Sequence, residues 1–153
     1  VHEDRVIDLI RRTYGLGSAG SQIRALIREA IEEEETAGSI ERKVGVDGKA
    51  TPFLDHPGRP RFIPPRGPSE EGRDIKHIWP GELESGVLQV IQSCFGIDRK
   101  EVVTATARAF GFLRVGRNID QSLSSVVDSL IAAKLVLETE AGLTVDESHG
   151  REK

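Results

Sequence analysis

Arg114, Arg117, Asn118 and Gln121 are side chains of the types that read the edges of bases. Arginine offers a forked pair of donors that fits guanine, and asparagine and glutamine offer a donor beside an acceptor, which fits adenine. They lie in and just after "GFLRVGRNI", Gly111 to Ile119, and a near copy, "GLGSAGSQI", runs from Gly15 to Ile23. The earlier copy brings a different set: Ser18, Ser21, Gln22, Arg24 and Arg28, followed by Arg42, Lys43 and Lys49. Small hydroxyls, scattered cations and the free amides of a helix N-terminus suit phosphate oxygens rather than bases. For both sets the rival reading is an ordinary solvated helix face. It is favoured in the first copy, where Glu32 to Glu35 would repel a phosphate backbone and Arg28 is spaced to pair with Glu32.

The Gly-x-x-x-x-Gly frame common to the two segments is also that of a phosphate loop. Such a loop follows a buried strand and carries Lys-Ser/Thr directly after its second glycine. Here Ser21-Gln22 and Arg117-Asn118 stand at those places, and helical patterns precede both. The frame is therefore read as a turn.

The elements that must position these residues are legible as a repeat. At an offset of 96, Val6, Arg12, Gly15, Gly20, Ile23 and Ala37 meet Val102, Arg108, Gly111, Gly116, Ile119 and Ala133. The matches fall on the punctuating glycines and the apolar stripe, the signature of one supersecondary unit built twice. Each copy reads as a helix stopped by glycine, a turn, a longer amphipathic helix and a hairpin. The first hairpin is placed around Asp47-Gly48 and the second around Glu140-Ala141-Gly142. Ile119, Leu123, Val126, Val127 and Leu130 share the inward face of the second long helix, leaving Arg117, Asn118, Gln121, Ser124, Ser125 and Asp128 outward. In the first copy Glu34 and Glu35 replace Leu130 and Ile131, so the apolar face ends early. "PGELESGVLQVIQSCFGI" adds a helix ahead of the second copy, and the first copy is expected to lack one.

All seven prolines lie between Pro52 and Pro80. The chain is therefore divided into a first unit, 1–54, a proline-rich linker, 55–74, a second unit, 75–146, and a disordered tail, 147–153. "RFI" and "DIKHIW" are candidate short edge strands within the bridge. Its Arg59, Arg61, Arg66, Arg73 and Lys76 are read as cations on a flexible solvated linker, with tracking of a phosphate backbone as the sharper alternative. The expected class is mainly α with small β-hairpins, an α+β arrangement of two winged-helix-like helix-turn-helix units in tandem.

A net charge of −4 argues against tight non-specific binding to a polyanion, while leaving local faces open. No apolar run reaches the length of a membrane span. Without a methionine at Val1 or anywhere else, the sequence is read as part of a longer protein. The single Cys94 is expected to be buried and reduced, pointing to a cytoplasmic setting. His2, His56, His77 and His149 have no zinc-ligand spacing, and Ser124, Ser125 and Ser129 have no base at a recognisable spacing. No catalytic residue, cofactor, metal or small-molecule substrate is expected. His77 and Trp79 are expected to pack the linker onto the second unit.

The segments "HEDRVIDLIRRTYGL", "GSQIRALIREAI", "RDIKHIWPGEL", "VIQSCFGIDRKEVV" and "ARAFGFLRVGRNIDQSL" together resemble the C-terminal domain of unknown function of large bacterial superfamily-one DNA/RNA helicases. Those proteins also carry an endonuclease-like module. The resemblance spans about residues 2–145 and implies a non-catalytic accessory module of an ATP-driven DNA-processing enzyme. The helicase and nuclease motifs themselves are not in this sequence. DNA and the other domains of such a parent protein are the expected partners. The alternative is a module that docks protein, in another chain or in the same polypeptide.

Overall fold

The computed structural model describes all residues except 19, 45–48, 61–62, 68–71 and 147–153. The chain forms two compact units, Val1–Arg61 and Phe62–Lys153. The proposed Asp47-Gly48 turn, Arg61 and the 147–153 tail lie outside the described residues.

The first unit runs α1 (Glu3–Thr13), α2 (Ser21–Thr36), β1 (Glu41–Val44) and β2 (Ala50–Asp55). The second opens with a single 3-10 turn, Ile75–His77, followed by α3 (Pro80–Gln92), α4 (Arg99–Ala109), α5 (Arg117–Ala132), β3 (Val136–Thr139) and β4 (Gly142–Val145). The architecture is thus α+β, with two antiparallel hairpins, β1–β2 and β3–β4. No described helix is long and apolar enough to cross a membrane.

The internal repeat holds at the level of single hydrogen bonds. Both ends of α4 and of α5 lie 96 positions beyond those of α1 and α2. The first helix of each pair is capped at equivalent positions: His2 Nδ1 accepts from the Asp4 amide at 3.1 Å and Asp98 Oδ1 from the Lys100 amide at 2.8 Å. It ends in a glycine of positive φ, Gly15 at 65° or Gly111 at 88°. The chain then folds back, the Leu16 amide donating to the Arg11 carbonyl and the Phe112 amide to the Ala107 carbonyl, both at 2.9 Å. A β-carbon at either glycine would strain that left-handed backbone, which is why the sequence spends a glycine there twice.

The correspondence also covers a strand position that periodicity does not reveal. Ile97, just ahead of α4, exchanges backbone hydrogen bonds with Leu143 of β4 at 2.9 and 3.4 Å. Val1, 96 positions earlier, exchanges them with Leu54 of β2. Each hairpin is thereby tied to the residue that leads into the helix pair.

Two expectations for the bridge are corrected. "DIKHIW" is not a strand: Asp74 accepts the Lys76 amide at 3.1 Å and starts the 3-10 turn, while Ile75, Ile78 and Trp79 are buried in the second unit. Nor are Arg66 and Arg73 free linker cations, although the Arg66 side chain stays largely exposed. Both close on Glu82 of α3, whose side chain is fully enclosed; Arg73 donates to it at 2.7 and 2.9 Å and Arg66 at 2.9 Å. The burial of Trp79 agrees with its expected packing role. The second turn is also tighter than expected: Thr139 pairs with Gly142, leaving Glu140-Ala141 as a two-residue loop.

The core of the second unit forms where α3 packs against both α4 and α5. Val87, Ile91, Val102, Val127, Leu130 and Val136 make one cluster; Leu83, Val103, Ala107, Phe110 and Leu123 make another. The first unit has a smaller core, Ile7, Ile27, Ile31 and Leu54. Cys94 lies outside both. The helical pattern had carried it into the interior, but α3 stops at Gln92, and Cys94 follows in the connecting loop, exposed. The premise for a buried thiol, and with it that argument for a compartment, falls away.

Candidate nucleic-acid interface

Helix α5 is amphipathic in the sense expected. Leu123, Val127 and Leu130 are fully buried, and Ile119 and Val126 pack beside them. Fixing that stripe inward turns Arg117, Asn118 and Gln121 to solvent along the first two turns, with Arg114 exposed in the preceding turn. None of the four side chains has a hydrogen bond or ion pair with another described residue. Gly116 caps the helix with an extended backbone and no side chain, so the first α5 amides have no side-chain acceptor from their own cap.

The surroundings restrict what this face can touch. A recess of about 460 Å³ beside the start of α5 is lined by Asp74, Phe112, Arg117, Asn118 and Ile119. Asp74 places a carboxylate at its rim, with Lys76 Nζ 3.6 Å away. The same turn exposes Leu113 almost completely. Further along α5, the expected outward face is partly used up. Arg99 forms an ion pair with Asp128 and donates to the Ser124 carbonyl at 3.2 Å, and Ser124 is half-buried. The basic and amide side chains without partners therefore lie in the N-terminal half of the helix, while the C-terminal half presents Ser125 and the exposed carboxylate of Asp128. The β3–β4 hairpin adds Glu138 and Glu140, both exposed.

In the first unit the basic candidates serve the fold. Arg28 pairs with Glu3 at 2.8 Å, not with Glu32 as its spacing predicted. Arg42 bridges Glu3 at 3.0 Å and Glu35 at 2.9 Å. Burial alone would raise the Glu3 pKa, but the hydrogen bonds from Arg28 and Arg42 lower it below the usual carboxylate value. Lys43 binds Glu41 and the Arg59 carbonyl, the latter at 2.9 Å. Arg11 braces the first turn by donating to the Leu16 and Gly17 carbonyls at 3.1 and 3.0 Å. Ser18, Ser21, Gln22, Arg24 and Lys49 are exposed, and Arg24 and Lys49 also have interactions within the chain. Sequence spacing missed the Glu3 cluster because its members are 25 and 39 residues apart; the signal available was only that Glu3 opens a helix.

Burial isolates Glu82 from water, which alone would raise its pKa. The hydrogen bonds from the Arg73 and Arg66 guanidiniums and the Arg66 amide outweigh that and hold the carboxyl at about 2. The arrangement fastens the proline-rich segment onto α3, with no open position for a substrate at the carboxylate. Compared with known proteins, the chain matches no family description, no curated protein and no solved structure.

Proposed function

We propose that the second unit is a winged helix that binds DNA as a non-catalytic accessory module, with α5 as its recognition helix. The observation that carries this reading is the cluster of Arg114, Arg117, Asn118 and Gln121, exposed and without partners among the described residues, beside the uncapped amides that start α5. Helices of this kind read a major groove with their N-terminal residues. The arginines would hold phosphates or guanine, the amide side chains would face base edges, and the α5 amides would take a backbone phosphate. The tie between Ile97 and Leu143 supports the winged-helix reading, since it gives the hairpin a third strand position ahead of the helix-turn-helix. The resemblance in sequence to the C-terminal domain of superfamily-one helicases supports DNA as the nucleic acid and such an enzyme as the parent.

Glu138 and Glu140 on the hairpin oppose a second phosphate contact, so the reading gives binding to α5 and its preceding turn rather than to the wing. Few cations then face the DNA, so binding is weak and its salt dependence reflects only those few phosphate contacts. Fluorescence anisotropy of a labelled duplex and of a forked DNA tests this: wild-type chain binds at low salt and the Arg114→Ala/Arg117→Ala variant loses most of that affinity. Equal binding by the variant would rule out α5 as the contact.

A further inference from the structure

The repeat brings an uncovered face of the first unit into register with a covered face of the second. In the second unit Val102, Phe110, Leu123, Val127, Leu130 and Val136 are buried at 0–2% exposure in clusters completed by Leu83, Val87 and Ile91 of α3. Their counterparts at the offset of 96 are Val6, Tyr14, Ile27, Ile31, Glu34 and Ile40. These same six residues line an open apolar groove of about 650 Å³; Ile27 and Ile31 are already buried in the first unit's core, and Tyr14 and Glu34 are exposed. Tyr14 is 75% exposed where Phe110 is 2% exposed, and neighbouring Leu26 is 64% exposed. Among the described residues of the first unit, no helix takes the place of α3.

We infer that this groove binds an amphipathic α-helix of a partner protein, seated as α3 is seated on α4 and α5. The pattern that fits is given by α3. Leu83, Val87 and Ile91 recur every four residues and are buried, and Gly86 lies so close to Phe110 that a β-carbon would come within 2.6 Å of its ring. A partner helix therefore carries apolar residues at i, i+4 and i+8, with a small residue at i+3 facing Tyr14. Charge supplies the remaining specification. Glu34 stands where Leu130 packs in the same cluster as Ile91, near the end of α3, and Asp55 also lines the groove. Glu32 and Glu33 are exposed beside it. The partner helix is consequently basic in its last turn, which the helix dipole also favours. This face is on a different unit from α5 and does not depend on the DNA reading.

The probe is a synthetic peptide with the sequence of α3, alanines at the Glu82 and Glu84 positions and lysines at the Gln89 and Gln92 positions. It is titrated into the isotope-labelled full chain and followed by amide NMR. Saturable shifts centred on Val6, Ile10, Ile31 and Ile40 are expected. Tyr14→Glu, at an exposed position that leaves the fold intact, should weaken binding by about tenfold or more. Glu34→Lys should weaken the lysine peptide, and a peptide with glutamates at those two positions should recover the loss. No saturable shift with a folded chain would overturn the inference, as would shifts confined to α3, α4 and α5. A concentration-dependent dimer that Tyr14→Glu abolishes and the peptide fails to dissociate would assign the face to a second copy, and would equally overturn it.

Discussion

Glu82 stays ionised although its side chain is wholly enclosed, because two guanidiniums and a backbone amide converge on it. Its pKa falls from 4.5 to about 2, so the contribution to stability is fully present above pH 4.5 and is lost as pH drops towards 2. The shift corresponds to about 3 kcal/mol. Thermal unfolding between pH 5 and pH 2 should show Tm falling through that window, and Glu82→Gln should lower Tm at pH 7 and flatten the acid limb. An unchanged acid limb in the variant would assign the acid sensitivity to other carboxylates. Sequence alone shows Arg66 and Arg73 as cations among prolines; it does not show that they share one carboxylate 16 and 9 residues away. Arg117, Asn118 and Gln121 were legible as exposed because the apolar stripe of α5 fixes which way they face, and Arg114 because it falls in the turn before it. Arg28 was not, because Glu3 competes with Glu32 for it only once α1 and α2 have packed.

At the scale of elements, the helices were readable from the 96-residue offset and the glycines that end them. The strand positions of Val1 and Ile97 were not, since single residues carry no period. The same tie yields a prediction about the second hairpin. Gly142 has φ 113°, and a β-carbon there would lie 2.7 Å from the Ile97 carbonyl oxygen and 2.8 Å from its nitrogen. Gly142→Ala should destabilise the second unit by roughly 2 kcal/mol or more, read as a lower urea midpoint with an unchanged slope. An unaltered midpoint would mean the hairpin is not held by that contact. The acidic hairpin makes a functional prediction of opposite sign to that for α5. Glu138→Gln/Glu140→Gln should tighten DNA binding by about two- to threefold at low salt, with the gain disappearing as salt screens the repulsion. Weaker binding by this variant in the same anisotropy assay would place the hairpin in the contact and contradict the helix-only reading.

For the whole molecule, a net charge of −4 and the few cations at the start of α5 set the character of any DNA complex. Non-specific affinity comes mainly from released counterions, and each phosphate contact contributes about 0.9 to the salt slope. In the first unit Arg28, Arg42 and Lys43 are already satisfied by acidic or carbonyl partners, so the account assigns the DNA contact to the second. The most direct measurement is the slope of log affinity against log salt for a duplex, in wild-type chain and in Arg114→Ala/Arg117→Ala. The account predicts salt-sensitive binding by wild type and a slope reduced by roughly 2 in the variant. No retention of any duplex or fork at low salt, or identical slopes for the two proteins, would contradict it.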